Sequence, residues 1–519
     1  MKEPNALAKQ FARTLRAVRE SRNRERVASE THDKLHVQTI GASLTYLYES
    51  LRNASENTGE NLLLMQAIQR FFKRTYLTPD PKLSEVGEEL ITELTLAGYL
   101  ENDSITIKTT DEISHLVRDY SHLRDKLLQK FPRKVADSWT LEPMSAAIEQ
   151  KLRDHHQLNV VFADFAYNYF LGAINTTAIF GEKPASYEAT LFVAVQQSLL
   201  HADPAAIRLS LTSRYQVPLG HAAEFAKFNV QVDQIMVSTA LKRLTHLVER
   251  HGAPFRILLT KLTDEDLFLA LESEKAFAGI FNRAVTESYI SIKKEVNRGI
   301  FRSVVLLSVT RFLVFIATEV PYNLVNYNSE RWLPLIINLF SPAVYMLALR
   351  LTLAMPGINN SRALNREITR ILFEPVPDKP PIGRDGKRKF GAGYNVVYVI
   401  IFFSIFVGLG YLLVAFARFN WFDLVKFFLF LSMASFLGFR MSRKIRSIEI
   451  GDEAQNGVTM LRDLVYMPFV VMGRKINEIY SKFNIISNLL DMLIELPLKT
   501  ILGFVRRWSA FLSAKKDDF

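Results

Sequence analysis

Apolar residues are spread along this chain in two different ways. Up to about residue 298 they recur every three or four positions among charged ones, as at Leu7, Phe11, Leu15 and Val18. That spacing puts one helical face on a core. From 300 to 440 they gather instead into four long runs, at 300–325, 332–353, 396–416 and 421–439. A bilayer takes roughly 20 apolar residues of helix to cross, and only a helix satisfies its own backbone there. The pattern predicts a mainly α protein in three parts: a soluble, mostly helical cytoplasmic domain over 1–298, a four-helix transmembrane block of two hairpins over 299–440, and an amphipathic helical tail over 441–519 at the membrane surface or packed on the domain.

Inside the first part, helices are predicted at 82–96, from Thr109/Thr110 to about Lys130, and at 142–153, 157–174, 186–202 and 220–251, with Pro184, Pro204 and Pro218 at the joints. Thr110 before Asp111 and Glu112 supplies a capping hydroxyl and acids at the positive end. Gly98 stops the 82–96 helix, and two short strands around Asn102 and Asp103 would make a small β-hairpin near 99–108. Helix, turn and ribbon in that order suit a nucleic-acid reader, but Glu85, Glu88, Glu89 and Glu93 would repel phosphate, so no nucleic acid is expected. The N-terminal helix interleaves Glu20, Glu25 and Glu30 with its arginines, as a solvated face does.

Charge orients the block. The chain carries a net +11, yet residues 1–300 balance 37 basic against 37 acidic residues, so the excess lies wholly in the apolar part, with 27 against 16. Basic residues cluster before the first run (Lys293, Lys294, Arg298, Arg302), between the second and third, and after the fourth (Arg440, Arg443, Lys444, Arg446). The two hairpin tips hold only Arg331 and Arg418. Basic residues near span ends favour the cytoplasm, so both termini and the central loop, 355–392, are expected there, in a bacterial inner membrane. Tyr322, Tyr327 and Trp332 at one tip and Trp421 at the other suit an outer aromatic belt. The start of the chain has no apolar core of signal-peptide length, so no cleaved signal is expected.

The central loop predicts a short helix with Leu364, Ile368, Ile371 and Leu372 on one side and Arg362, Arg366 and Arg370 on another, fit to lie among anionic headgroups. Lys387, Arg388 and Lys389 would anchor the third span to the same lipids. In the tail, 457–473 and 485–511 are apolar but interrupted by Asp463, Asp491 and Glu495, which argues against a fifth span.

Chemistry is sparse. The absence of cysteine excludes disulfides, thiolate metal sites and cysteine nucleophiles. His155 and His156, and His246 with Glu249 and His251, lack the repeated spacing of a metal centre. No P-loop, Rossmann, HExxH or GxSxG pattern occurs, so neither a cofactor nor an enzyme activity is expected. Candidate functional residues are the polar ones inside the first hairpin: Arg311, Glu319 and Asn338. A turn near Asn328 would set Glu319 level with Asn338 and Arg311 level with Tyr345. In the second hairpin, Ser404 with Gly408 and Ala434 with Gly438 have the spacing for close helix contact. Together these predict a multi-pass membrane scaffold whose cytoplasmic domain binds protein partners, in an envelope or secretion assembly. The alternative is an oligomeric channel or small transporter built on the first hairpin.

Overall fold

A computed structural model describes residues 3–30, 32–38, 46, 49, 60–76, 83–153, 156–316, 332–353, 355–375, 382–383, 392–450 and 466–476. These are mainly helical and contain no strand. In chain order the helices are α1 (Ala6–Glu30), α2 (Glu60–Thr75), α3 (Val86–Leu96), α4 (Ile107–Leu128), α5 (Arg133–Trp139), α6 (Leu141–Leu152), α7 (His156–Ala173), α8 (Thr176–Phe180), α9 (Tyr187–Leu199) and α10 (Pro204–Arg214). They continue as α11 (Ala222–Val237), α12 (Thr239–His251), α13 (Ala253–Leu259), α14 (Glu265–Ala270), α15 (Glu274–Val314), α16 (Trp332–Thr352), α17 (Ile358–Phe373), α18 (Ala392–Ala417) and α19 (Trp421–Arg446). A last helix, α20, covers 466–476. The chain divides into two compact units.

One unit comprises 9–171 and 183–248 among the described residues. Its core is made where α2, α3, α4 and α6 bury Ile68, Phe72, Leu90, Ile113, Val117 and Met144. Two expectations change here. The hairpin near 99–108 does not form. Thr106 accepts the Thr109 N–H and starts α4 at Ile107, inside the second expected strand. The remaining turn is tied to residues 34–37 instead, through Leu35 N–H to the Ile105 carbonyl (2.9 Å) and the Asn102 side chain to both backbone groups of Val37. The expected 220–251 helix is two helices, because Ser238 turns extended and caps the second through the Leu241 N–H. Asp203 likewise starts α10 by accepting from Ala205 and Ala206.

The other unit holds 249–483 with 1–8 and 172–182. Its axis is α15, 41 residues and about 60 Å long. Its first half is charged, and from Ile300 onward it is apolar, with no break at Gly299. Val296, Ile300 and Leu307 of α15 bury against Met346 and Leu349 of α16 and Phe430, Ala434 and Met441 of α19. Among the described residues, 399–417 and α19 are long and apolar enough to cross a membrane, and Ile336–Thr352 is apolar but shorter. The expected 300–325 run is described only to residue 316.

The expected surface helix of the central loop forms as α17, but its apolar side is not open to lipid. Leu364, Ile368, Ile371 and Leu372 are all buried. Asn360 donates to Tyr289 Oη (2.8 Å), Asn365 to Asn282 Oδ1 (3.3 Å), and the Phe373 ring lies 5.9 Å from Phe277. These pairs set α17 antiparallel to the charged half of α15. Arg362 and Arg370 then lie roughly 15–30 Å beyond Gly299 along that axis, away from the apolar half.

Candidate functional site

The polar residues within the apolar helices converge on one place. Arg311 is 1% exposed, and its Nε donates to the Asn338 carbonyl at 3.1 Å. That carbonyl is available for a reason written in the sequence. Pro342 sits inside α16 four residues further on and has no N–H to return to it. Buried between helices, such a group needs a partner from a neighbouring helix. The guanidinium carbon also stands 5.2 Å from the Phe430 ring centroid, so the cation rests on a π face of α19.

The Asn338 side chain is 2% exposed, and neither its Oδ1 nor its Nδ2 makes a hydrogen bond. The buried Ser432 hydroxyl of α19 shares that condition. Unsatisfied buried groups are costly. One helical turn or so away, Ser435 donates to Tyr345 Oη at 2.8 Å and closes α19 on α16.

Arg311 meets Asn338 and Arg350 meets Asn297 Oδ1 (3.0 Å). The two pairs set the register of α15 on α16. Arg311 therefore stands level with Asn338 and not with Tyr345, seven residues or about two helical turns from the expected register, while the expected turn at Asn328 lies outside the described residues. Side-chain packing rather than tip polarity fixes the register. Glu319 lies outside the described residues, as do Lys387, Arg388 and Lys389.

The small residues divide. Gly438 closes on Leu349 of α16, where a side-chain carbon would come within 2.7 Å, and Ala434 is fully buried on the same side. Ser404 and Gly408 are exposed, and nothing stands within 4 Å of a carbon placed on Gly408. α18 uses Ile405, Phe406, Leu409 and Leu413 for its contacts instead. Arg362, Arg366 and Arg370 are exposed on α17, with Arg370 paired to Glu367.

Among the described residues of the unit 9–171 and 183–248, the densest polar arrangement is structural in form. Arg208 donates to Asn229 Oδ1 (2.6 Å) and to Asp233 (2.5 Å), whose other oxygen accepts from Trp139 Nε1 (2.9 Å). Glu142, near this cluster, has its carboxyl held above the usual range by burial, with Arg208 and Lys73 opposing. Asp203 is likewise raised by burial, although two backbone N–H groups favour its charged form. Among the described residues no group of three or more His, Asp or Glu could hold a metal.

The sequence singled out Arg311 and Asn338, which the structure brings together, and did not single out Phe430, Ser432 and Pro342. The Pro342–Asn338 spacing of four was the available signal. The chain matches no protein-family model, no curated protein and no solved structure.

Proposed function

We propose that this chain is a four-span membrane anchor of two hairpins, whose cytoplasmic helical domain binds protein partners. The observation that carries the reading is the surface of the apolar helices. Phe301, Val305, Val309 and Phe312 form an exposed stripe on α15, and Ile316 just past its end is exposed as well. α16 exposes Leu333, Ile336, Phe340, Val344, Leu347 and Leu351, and α18 exposes Val399, Ile400, Phe403, Val407 and Phe416. α19 adds Trp421, Phe422 and Val425. So large a contiguous apolar face is not left in water by a soluble protein, and lipid is its natural solvent. The exposed basic residues at one end of these helices, Lys293, Lys294, Arg298, Arg350, Arg440 and Arg443, then meet anionic headgroups. The unbroken α15 supports an anchor that transmits force from the charged region into the membrane. Homo-oligomers fit the same design.

Reporter fusions at residues 10, 328, 380, 419 and 515 test the topology and should read in, out, in, out, in, in a bacterial inner membrane. A periplasmic signal at 10 or 380 would overturn it. A stoichiometric protein partner recovered in detergent would support the anchor. The Arg311–Asn338 pair supports the second reading, an oligomeric channel or small transporter, because an ionisable group within a span is by default a functional-site hypothesis. Ion flux in liposomes by a partner-free oligomer would select it.

A further inference from the structure

α17 is held at both ends. At its start Asn360 donates to Tyr289 Oη (2.8 Å) and the Ile448 carbonyl (2.9 Å) and accepts from the Ile450 N–H (2.8 Å). At its finish the Asn5 N–H donates to the Leu372 carbonyl (2.9 Å), and Asn5 Nδ2 to those of Ile371 (2.9 Å) and Glu374 (2.8 Å). With Leu364, Ile368, Ile371 and Leu372 buried between these ties, the helix presents one fixed outward face. Ile358, Arg362, Arg366 and Arg370 follow one another along it at intervals of four, all exposed, over roughly 18 Å.

The row is unbalanced in charge. A solvated helix face mixes its signs, as α1 does, whereas the single acid of α17, Glu367, serves Arg370. Among the described residues Arg362 and Arg366 enter no ion pair. Anionic lipid does not answer them either. Asn282 and Tyr289, which bond α17, lie roughly 25 and 15 Å before Gly299 along α15, and headgroups extend the apolar layer by only about 5–8 Å on each side. On the four-span anchor reading, on which this inference rests, the row stands in the cytoplasm, clear of the membrane.

We propose that this face of α17 docks an acidic helix of a partner protein, with carboxylates four residues apart to meet Arg362 and Arg366 and an apolar side chain to cover Ile358. Guanidinium forks take carboxylates through paired, parallel hydrogen bonds. Helices lying side by side share one rise per residue, so acids at that interval match the row. Ile358, 68% exposed, has a role against a protein and none against a phosphate backbone. Since α17 is already fixed at both ends, binding has little left to order.

The full chain in nanodiscs is titrated with three stapled helical peptides that differ only in carrying Glu, Gln or Lys at four-residue intervals beside one Leu. The Glu peptide should bind about tenfold more tightly than the Gln peptide, and Arg362→Gln/Arg366→Gln should abolish that margin. In Arg362→Glu/Arg366→Glu the preference should reverse to the Lys peptide, a gain that an unfolded variant could not show. A Glu peptide bound no better than the Gln peptide, or bound equally by the variants, overturns the docking face. Displacement of the Glu peptide by phosphatidylglycerol in the disc makes lipid the occupant and overturns it too, as does its displacement by duplex DNA. Topology reporters that read as expected beside a failed titration overturn the docking face alone. A periplasmic reporter at residue 380 overturns the anchor, and the cytoplasmic partner with it.

Discussion

The bond from Arg311 to the Asn338 carbonyl exists because Pro342 cannot make it, and that dependence can be measured. Replacing Arg311 by Met removes the donor at 3.1 Å and leaves a carbonyl inside the helix pair unpaired. An unsatisfied buried acceptor costs about 1–3 kcal/mol, while interhelical hydrogen bonds in membranes average about 0.6 and reach about 1.7 kcal/mol. Met also removes the cost of burying a cation, so the sign of the single change decides nothing. Pro342→Ala restores an N–H four residues from Asn338 and gives its carbonyl a partner within α16. The loss of Arg311 should then matter less, by about 1 kcal/mol. The four proteins of the cycle are unfolded with sodium dodecyl sulfate in mixed micelles and followed by circular dichroism. Independent sites add within about 0.3–0.5 kcal/mol. A coupling below about 0.3 kcal/mol would refute the idea that proline creates the acceptor for arginine.

Three further outcomes follow from the same geometry. Asn360→Ala should cost about 2–3 kcal/mol and speed exchange at the Ile450 amide, because Asn360 holds Tyr289 Oη, the Ile448 carbonyl and the Ile450 N–H together. Leu364→Ala should lower stability by about 2–5 kcal/mol in thermal melts, a loss that a residue lying in lipid headgroups would not show. Glu142 has its folded pKa raised by burial, so the stability it contributes is full below about pH 4.3 and declines as pH rises through its folded value. Glu142→Gln should therefore raise the melting temperature at pH 7, a gain that disappears in melts near pH 4.

Much was legible from periodicity because burial and helix geometry act on neighbours in sequence. The helical class, the apolar runs and the amphipathic 358–373 helix all rest on spacings of three and four. So does the candidate status of Arg311, since a charge within an apolar run is costly wherever that run packs. What covers each apolar face was not legible. Leu364 and Ile368 suit lipid as well as they suit the flank of α15, and only the contacts of Asn360, Asn365 and Phe373 decide for protein. Gly438 and Gly408 share one spacing rule, yet one meets Leu349 and the other nothing. Of the 457–473 run only the part from residue 466 is described, and that α19 is its neighbour is seen only from contacts such as Gly473 against Ser432. Local sequence sets which face of a helix is apolar; which neighbour buries it depends on long-range packing among faces of similar hydrophobicity, and that is decided only when all the helices are in place.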